Sequence, residues 1–276
     1  MKNILITGSK SYIGESVRDY LLQWPEEYNV IIKDTIDWKP IPKDFLYFDV
    51  VFNVAGIAHI KETEENKRLF FKVNRDLVVR MAKAAKIAGV KQFINLSSMS
   101  VYGCLVGHIT KDTPVHPVNA YGKSKAGADN YIMKIEDESF KYACLRPPMI
   151  YGKGCKGNYQ SLRKFALKSP IFPKYKNERS MLFIGNLNVF VKNIIDDGKS
   201  GVFFPQNYEY VNTSEMVKNI AKAHGKTIIM TKVFNWLLNI VNLDVFKKVF
   251  GSLTYEGVDR IKAFSFMESI DITERG

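Results

Sequence analysis

Short apolar runs alternate with amphipathic stretches along the first half of the chain. The stretch GESVRDYLLQW repeats its apolar residues at helical spacing, and residues 69–88 carry a longer helical pattern that ends at Gly89. Four apolar runs have the length and composition of strands buried in a parallel sheet: NILITG, YNVIIKD, FDVVFNVAG and KQFINLSS. Strands that alternate with helices in this way predict an α/β fold with a doubly wound parallel sheet.

The pattern becomes less regular after about residue 150. Before that point AYGKSKAGADNYIMKI is typical of a helix, and FKYACLRPPMIYG of a strand that runs into a loop. Beyond it, loop-like and proline-rich stretches precede one clear helix in NTSEMVKNIAKAHG, which Asn212 can cap with Glu215 three residues on. We therefore expect a regular sheet domain followed by a smaller, more irregular one.

Composition and charge narrow the classes of partner. The 276 residues are 46% hydrophobic and 25% charged, which is ordinary for a globular protein, and the formal net charge is +12. The lysines are scattered along the chain and are not interleaved with aromatic residues. Nucleic acid is therefore the weaker explanation of the charge. Many solvated lysines on an ordinary globular protein explain it without any partner, and nucleotide phosphates are a target compatible with it.

The remaining composition argues against a metal site, secretion and membrane insertion. The cysteines and histidines show no ligand spacing, so we predict no metal site. Three cysteines and an N-terminus without a secretion signal favour a reducing cytoplasm. No apolar run has transmembrane length, so no stable membrane insertion is expected. Residues 233–250 come closest; we interpret them as a helical packing surface, with an interfacial membrane helix as the alternative.

The first strand-to-helix turn, TGSKSYIG over residues 7–14, contains two glycines. Gly8 permits a tight turn where a Cβ atom would clash, and Gly14 lets the following helix approach the sheet. The free N–H groups at the start of this helix suit a pyrophosphate, which predicts a dinucleotide site of the Rossmann type. Contacts are then expected from the other residues of the turn, Lys10, Ser11, Tyr12 and Ile13. Ser11 replaces the middle glycine of the usual fingerprint, and a turn without a ligand is the alternative.

The type of dinucleotide depends on the end of the second strand. Asp34 lies there, and its carboxylate can accept hydrogen bonds from both ribose hydroxyls of adenosine. This favours NAD, because a 2′-phosphate would be repelled. Lys33 is adjacent, however, and Lys10 lies where an ammonium could reach a 2′-phosphate. The sequence therefore leaves NAD(H) and NADP(H) both open.

The strand KQFINLSS ends in hydroxyl groups. Ser97, Ser98 and Ser100 follow one another at its carboxyl end, which is where parallel sheets bind ligands. Ser98 or Ser100 could therefore hydrogen-bond a substrate oxygen. The alternative is that these serines only close the strand into a turn.

Tyr121 and Lys125 lie four residues apart in NAYGKSK, so both project from one face of the predicted helix. A free tyrosine has a pKa of about 10, and a nearby ammonium stabilises the phenolate and lowers that pKa. Such a pair can exchange a proton with a substrate beside a hydride carrier, and the lysine can hold a nicotinamide ribose. The alternative is that the two residues are ordinary exposed side chains on the surface of the helix. The glycine turn and the strand that ends in serines favour the catalytic interpretation.

Together these segments resemble the extended short-chain dehydrogenase/reductase superfamily, in its NAD-dependent epimerase/dehydratase branch. The matching segments are TGSKSYIG, DVVFNVAG, VNRD, SSMSVYG, YGKSK and LRPPMIYG, and ERSMLFIGNL extends the match. The resemblance implies that Ser98, Tyr121 and Lys125 are catalytic, with Ser98 and Tyr121 on the substrate oxygen. Further cofactor contacts are implied for Ala55, Gly56, Asn74 and Pro148, with His59 at their border.

The resemblance also implies how function divides along the chain. A Rossmann dinucleotide-binding domain would occupy residues 1–150, with a return segment near 179–212. Residues 151–178 and 213–276 would form a smaller nucleotide-sugar substrate domain, in which Asn158 lies near the UDP. Arg179, at the start of the return segment, would contact the pyrophosphate of the substrate. Relatives often dimerise through helices next to the YxxxK helix, so a homodimer is compatible with the resemblance.

Two departures from the family pattern refine the expected activity. Only TIDWKPIPKDFLYF separates Asp34 from FDVVFNVAG, where the family usually has a strand and a helix, so the adenine side of the sheet is expected to be trimmed. Hexose 4-epimerases often carry an asparagine after the LR strand, where this chain has Pro147, Pro148 and Met149.

Within the branch, RPPMIYGKGCKGNYQSL, PIFP and ERSMLFI look most like bacterial capsule and O-antigen enzymes. Those enzymes reduce UDP-4-keto-6-deoxy-N-acetylhexosamines with NAD(P)H, so we expect a cytoplasmic reductase of surface-polysaccharide synthesis that takes a UDP-sugar. A UDP-sugar 4-epimerase with tightly bound NAD is the first alternative. A non-catalytic dinucleotide-sensing scaffold, suggested by the trimmed adenine side, is the second.

Overall fold

The computed structural model describes residues 1–58, 60–233, 235 and 244–276. His59 and half of the stretch 233–250, residues 234 and 236–243, lie outside the described residues. The described chain divides into two compact units. The first consists of Met1–Gly103, Pro114–Pro147 and Leu187–Phe204, and the second of Cys104–Thr113, Pro148–Asn186 and Pro205–Gly276.

A six-stranded parallel sheet forms the centre of the first unit. Its strands are β1 (Lys2–Thr7), β2 (Tyr28–Lys33), β3 (Val50–Asn53), β4 (Gln92–Leu96), β5 (Lys141–Leu145) and β6 (Gly201–Phe203). They lie in the order β6-β5-β4-β3-β1-β2, so the chain reverses direction across the sheet between β1 and β3. Ligands of such sheets bind at the carboxyl ends of the strands beside this switch point. The doubly wound parallel sheet predicted from the sequence is confirmed.

The adenine side of the sheet is trimmed, as the sequence predicts. The connection from β2 to β3 contains one short 3₁₀ helix, Pro42–Phe45, and adds no strand beyond β2. β2 is therefore an edge strand, and the expectation that it is buried throughout is wrong. Alternate residues of β2 face outward, and Ile31 remains 46% exposed, because no further strand or helix of the connection covers them.

Helices surround this sheet in the first unit. They are α1 (Tyr12–Leu21), α2 (Lys67–Phe71), α3 (Val78–Ile87) and α4 (Ala120–Ile135). The helical pattern predicted over 69–88 is continuous, but a π-helical segment, Lys72–Leu77, joins α2 to α3. Such segments are frequent at functional sites, and this one carries Asn74. Asn119 caps α4, since its side chain accepts a hydrogen bond of 2.8 Å from the Gly122 amide.

The second unit combines short helices with parallel strand pairs. Its helices are α5 (Asn158–Lys168), the start of α6 (Ile184–Asp196), α7 (Thr213–Ala223), α8 (Asp244–Phe250) and α9 (Phe266–Arg275). Its strand pairs are Gly107–Ile109 with Leu253–Tyr255, Met149–Tyr151 with Met181–Phe183, Ile171–Pro173 with Ile229–Thr231, and Gln206–Asn207 with Arg260–Ile261. Asn212 caps α7 by accepting from the Glu215 amide at 3.1 Å, so this capping prediction is confirmed. Within the described ranges, no helix has the combined length and apolar character needed to cross a bilayer.

The turn after β4 is held by a glycine that no other residue can replace without strain. Gly103 ends the 3₁₀ turn Met99–Tyr102 at φ +69°, and a Cβ atom there would lie 2.3 Å from the carbonyl oxygen of His116. Gly198 has a similar backbone, at φ +56°, but a Cβ atom there would meet no other atom within 4 Å. A substitution at Gly103 therefore causes both backbone strain and steric overlap, whereas a substitution at Gly198 causes backbone strain alone.

We expect Gly103→Ala to lower the free energy of unfolding by about 2–4 kcal/mol, because strain and overlap add. Gly198→Ala is the matched control and should lower it by only about 1 kcal/mol, from the left-handed backbone alone. Urea unfolding followed by circular dichroism measures both. Equal losses in the two variants would contradict the overlap at Gly103.

Candidate active site

The turn between β1 and α1 rests directly on the chain that follows β3. Gly8 has φ +98°, and a Cβ atom there would lie 3.0 Å from the Cα atom of Ala55 and 3.1 Å from its amide nitrogen. A Cβ atom on Gly14 would meet side-chain methyl groups of Val54 at 3.0 Å and Ile6 at 3.2 Å. The first glycine therefore allows contact between two backbones, and the second allows α1 to pack closely on the sheet.

This turn fits the pyrophosphate of a dinucleotide. It presents the N-terminus of α1 at the switch point, and at Gly8 it has backbone on both sides of the contact with Ala55. Ser11, the residue that replaces the middle glycine, is the N-cap of α1 and accepts a hydrogen bond of 3.3 Å from the Gly14 amide. Lys10 adopts a left-handed backbone at φ +60° and is exposed. Tyr12 and Ile13 form the first residues of the helix.

Asp34 lies just after β2, beside the same turn. Its carboxylate accepts a hydrogen bond of 3.0 Å from the Ile36 amide. This backbone bond is the largest cause that holds the pKa of Asp34 below its usual range, and a hydrogen bond from the Ser9 hydroxyl adds to it. The nearby Lys10 ammonium acts in the same direction. Ser9 is a residue that sequence reasoning missed, although its place inside the glycine turn was a signal for it.

Ser98 and Tyr121 meet at the carboxyl end of β4. Their side chains are hydrogen-bonded to each other, and the Ser98 hydroxyl also accepts from the Ser100 amide at 3.1 Å. Ser98 thereby caps the 3₁₀ turn, which fixes its side chain. The ring of Phe70 packs edge-on against Tyr121, with 6.4 Å between the ring centroids. The structure thus joins two of the three residues predicted to be catalytic.

Lys125 follows Tyr121 by one turn of α4 and is buried, with only 5% of its surface exposed. Its Nζ atom donates a hydrogen bond of 2.7 Å to the carbonyl oxygen of Leu96, at the end of β4. Burial lowers the pKa of Lys125 to about 8, although the Asp129 carboxylate one turn further along α4 acts to raise it. The ammonium is therefore charged at neutral pH but close to losing its proton.

The effect predicted for Lys125 on the Tyr121 phenol is not found. Burial is the largest influence on Tyr121 and raises its pKa, while the hydrogen bond with Ser98 lowers it and Asp129 raises it. The physical reason is that the Lys125 ammonium is directed to the Leu96 carbonyl. Tyr121 accordingly keeps its proton at neutral pH.

Asn74 holds the chain that follows β3 against α4. Its side-chain oxygen accepts from the Ile57 amide at 2.8 Å, and its nitrogen donates to the Ile57 carbonyl at 3.0 Å and to the Ser124 hydroxyl at 3.3 Å. A Cβ atom on Gly56 would lie 3.0 Å from Asn74 Oδ1 and 3.3 Å from Lys125 Nζ. Because Gly56 has no side chain, its backbone lies next to the Lys125 ammonium. Gly56 belongs to the same segment as Ala55.

The other predicted contact residues belong to the second unit. Pro148 is buried, and Asn158 is the exposed first residue of α5. Arg179 donates from Nη1 to the Gly251 carbonyl at 2.6 Å, and its backbone bridges to Val211 and Leu253. Burial lowers the pKa of Arg179. The roles predicted for these three residues stay predictions.

The sequence of most of the sheet domain matches a known family. The model of the NAD dependent epimerase/dehydratase family matches residues 4–169, which is more than half of the chain. The chain belongs to this family. One relative, the UDP-glucose 4-epimerase of Vibrio cholerae, is 30% identical over 91% of this chain and 83% of its own length. Another, the N-acetyl-alpha-D-glucosaminyl-diphospho-ditrans,octacis-undecaprenol 4-epimerase of Escherichia coli O157:H7, is 24% identical over 99% of this chain and 88% of its own length.

Solved structures show the same fold as this family member. The UDP-glucuronic acid 4-epimerase of Bacillus cereus in complex with NAD has a TM-score of 0.78 at 16% identity, covering 99% of this chain and 97% of its own. The dTDP-4-dehydrorhamnose reductase of Bacillus anthracis in complex with NADP has a TM-score of 0.69 at 18% identity, covering 85% of each chain.

The family and these relatives make the protein an NAD(P)-dependent enzyme of the extended short-chain dehydrogenase/reductase type. It falls in the class that epimerises or reduces nucleotide sugars. The scaffold interpretation is therefore set aside. In the part of the chain that the structure describes, no group of three or more His, Cys, Asp or Glu side chains is placed to hold a metal ion.

The buried ammonium of Lys125 should make stability depend on pH. Its pKa is about 8 in the folded state, against the ordinary 10.5. The unfolded chain therefore binds more protons between these values, so stability rises as pH increases through this window. We expect the free energy of unfolding of the wild type, measured relative to Lys125→Met, to rise by about 2 kcal/mol from pH 7 to about pH 9.5.

Urea unfolding at both pH values, on the wild type and Lys125→Met, measures this difference. Lys123→Met is the matched control, because Lys123 is an exposed lysine of the same helix; its stability difference from the wild type should be the same at both pH values. A difference for Lys125→Met that does not change with pH would show that the ammonium is not buried as described.

Proposed function

We propose that the enzyme uses NAD(P)H to reduce the C4 ketone of a UDP-4-keto-6-deoxy-N-acetylhexosamine during bacterial surface-polysaccharide synthesis. The observation that carries the proposal is the hydrogen-bonded pair of Ser98 and Tyr121, together with the buried Lys125 one helical turn after Tyr121. Two hydroxyls that converge on one point suit a carbonyl oxygen. Pro147 and Pro148, where epimerases often have an asparagine, support reduction over epimerisation.

Each catalytic residue has a distinct task in this reaction. Bound NAD(P)H supplies the hydride for C4. Tyr121, which keeps its proton at neutral pH, donates that proton to the oxygen that becomes the alkoxide. Ser98 donates a hydrogen bond to the same oxygen and polarises the ketone. Lys125 places a positive charge beneath this oxygen as negative charge develops on it.

The protonation state of Tyr121 suits the start of a reduction. A reductase needs a protonated tyrosine at the start of each turnover, and burial, which raises the pKa of Tyr121, keeps the proton in place. A 4-epimerase needs the same tyrosine without its proton when it oxidises the sugar hydroxyl.

NADH is proposed as the preferred form of the cofactor. Asp34 is exposed and its lowered pKa keeps it ionised, so its carboxylate can accept from ribose hydroxyls and repels a 2′-phosphate. Lys10 is the opposing charge, but it faces Asp34 and offsets only part of this repulsion. The pyrophosphate is assigned to the turn Gly8–Gly14 and the nicotinamide ribose to Lys125 and Tyr121, with Ala55, Gly56 and Asn74 along the cofactor.

For the substrate, we propose that the second unit binds the UDP. Arg179, which is charged and half-buried, is assigned to the pyrophosphate, and Asn158 to the neighbourhood of the UDP. The names of the relatives support a nucleoside diphosphate or a related diphosphate carrier, since one acts on UDP-glucose and another on an undecaprenyl diphosphate-linked sugar.

A 4-epimerase is the second candidate, favoured by the names of those two relatives. It would use the same Ser98, Tyr121 and Lys125 but would keep one equivalent of NAD bound through each turnover. Cofactor retained after purification therefore discriminates the two activities. Stoichiometric NAD, together with conversion of UDP-GlcNAc to UDP-GalNAc without added cofactor, would favour the epimerase and overturn the reductase.

Replacement of the tyrosine hydroxyl tests the proton donor. We expect Tyr121→Phe to lower kcat for NADH-dependent reduction by about 10²–10⁴-fold, because the alkoxide then lacks its proton source. The substrate is UDP-4-keto-6-deoxy-HexNAc made in situ by a dehydratase, and the loss of absorbance of NADH is the measurement.

Tyr131→Phe is the matched control, because Tyr131 lies on the same helix with its ring against Lys83, away from Ser98. It should retain wild-type kcat. If Tyr121→Phe also retained wild-type kcat, Tyr121 would not be the proton donor. If the wild type oxidised neither NADH nor NADPH with this substrate, the reductase assignment would be wrong.

A further inference from the structure

A network of buried polar side chains lies under the proposed active site and ends at one carboxylate that no catalytic role explains. Asp129, on α4, is fully buried at 0% exposure. It accepts hydrogen bonds from Asn95 at 3.1 Å, Ser97 at 2.6 Å and Tyr142 at 3.0 Å. Arg146 donates to it from Nε at 3.4 Å. Four donors that converge on one side chain are the arrangement of an ionised carboxylate.

The network runs in one direction towards Asp129. Thr7 donates to Asn53 at 2.7 Å, Asn53 donates to Asn95 at 2.8 Å, and Asn95 donates to Asp129. All four residues are at most 1% exposed. Thr7, Asn53 and Asn95 are also direct neighbours across β1, β3 and β4. Each buried donor therefore finds its acceptor one strand further along, and the carboxylate completes the row.

Asp129 is linked to the catalytic residues in two ways. Its Ser97 contact holds the end of β4, which presents the Leu96 carbonyl to Lys125 and places Ser98 next in the chain. Its position one turn beyond Lys125 on the same helix brings a negative charge close to the buried ammonium. A single side chain thus acts on the geometry of Ser98 and on the charge of Lys125.

Few other charges face Lys125 in the described structure. Cys144 and Tyr142 on β5 are neutral, because burial raises the pKa of both groups. Tyr121, on the same helix, is also neutral, because burial raises its pKa. Two further residues described beside Lys125, Asn74 and Leu96, have side chains that do not titrate. Arg146 is the remaining charged group of the network, and it too is bonded to Asp129, with its Nη1 on the Tyr102 hydroxyl. Asp129 is therefore the negative charge available to the buried Lys125.

We propose that Asp129 is a positioning residue of the active site, which anchors the end of β4 and keeps Lys125 protonated as its buried counter-charge. The role deepens the proposed function and rests on it for its kinetic consequence, but not for its effect on Lys125. Loss of the carboxylate charge should make the ammonium easier to deprotonate. Lys125 would then be partly neutral at neutral pH, and less positive charge would be present to stabilise the alkoxide that forms on the substrate.

The direct test is the titration of Lys125 in the full-length protein without substrate. Protein labelled with [6-¹³C]lysine is followed by NMR, and the Lys125 resonance is assigned by its loss in Lys125→Met. We expect a midpoint near pH 8 in the wild type. Asp129→Asn should lower it by at least about one unit, as loss of a neighbouring opposite charge does. An unchanged midpoint in Asp129→Asn would overturn the proposal.

Two controls separate charge from structure. Asp129→Glu keeps the carboxylate and should restore a midpoint near that of the wild type. Ser97→Ala removes one hydrogen bond to Asp129 but no charge, so it should leave the midpoint unchanged. If Ser97→Ala moved the midpoint as far as Asp129→Asn does, a merely structural role would explain the effect and the proposal would be wrong.

Asp129→Asn removes the negative charge next to the buried Arg146 guanidinium, and loss of one partner of a buried ion pair strongly destabilises a fold. If that variant does not fold, Asp129→Asn combined with Arg146→Gln removes both charges and leaves a neutral network. The lowered Lys125 midpoint is expected in this double variant as well, and a wild-type midpoint in it would overturn the proposal.

The pH profile of kcat/KM adds the catalytic consequence. The alkaline limb should move to lower pH in Asp129→Asn, and KM for the dinucleotide should change less than kcat. A wild type without any turnover would contradict the proposed function while leaving the NMR difference intact. Normal turnover with an unchanged Lys125 midpoint would contradict the role of Asp129 alone.

Discussion

The row of hydrogen-bonded side chains from Thr7 through Asn53 and Asn95 to Asp129 is the constraint on which the site depends. Buried amides and hydroxyls are costly unless each finds a partner, so these residues can be accommodated only when β1, β3 and β4 are in register. A shift of one residue would direct the side chains to the opposite face of the sheet. The register fixed by this row sets the level at which the three strands end. It therefore determines where Gly8, Ala55 and Ser98 emerge.

The ends of these strands explain why the site has so little freedom. Gly8 lies against the Ala55 backbone, Asn74 is hydrogen-bonded to the backbone of Ile57, and Lys125 donates a hydrogen bond to the Leu96 carbonyl. Each of these contacts joins the end of a strand to another segment by a main-chain group. A catalytic site built from such contacts is pre-organised, which is where the transition-state stabilisation of enzymes largely comes from. Burial of the Lys125 ammonium lowers the stability of the fold at neutral pH. Active sites often accept such a loss of stability because their function requires the arrangement that causes it.

The sequence predicted the parts of the fold that follow from local periodicity. The first five strands of the central sheet, the position of the glycine turn and the full extent of α4 agree with the structure because each has a clear apolar pattern and a recognisable end. The sixth strand, Gly201–Phe203, was not predicted. The short chain between Asp34 and β3 likewise predicted the trimmed edge of the sheet, although β2 was not recognised as an edge strand. The π-helical segment around Asn74 was not predicted, because its residues keep the same apolar spacing as an α-helix.

What the sequence did not reveal depends on contacts between distant segments. The helical pattern alone gives Asp129 no special role, since its partners come from β4, β5 and the chain after β5, far away in sequence. A signal for the network is nevertheless present in the sequence. The carboxyl end of each of three apolar runs, NILIT, VVFN and QFINL, carries a polar residue: Thr7, Asn53 and Asn95. The pKa of Tyr121 could not be foreseen either, because burial of the phenol and the direction of the Lys125 ammonium are three-dimensional properties.

The central claim is that Ser98, Tyr121 and Lys125 serve hydride transfer to C4 of a nucleotide sugar, and isotope transfer tests it most directly. The purified enzyme is given UDP-4-keto-6-deoxy-HexNAc and NADH deuterated at C4 of the nicotinamide on either face. Mass spectrometry and NMR then locate the label in the product. We expect one deuterium at C4 of the sugar from one face of the nicotinamide. A product without deuterium, or with deuterium at another carbon, would contradict the account.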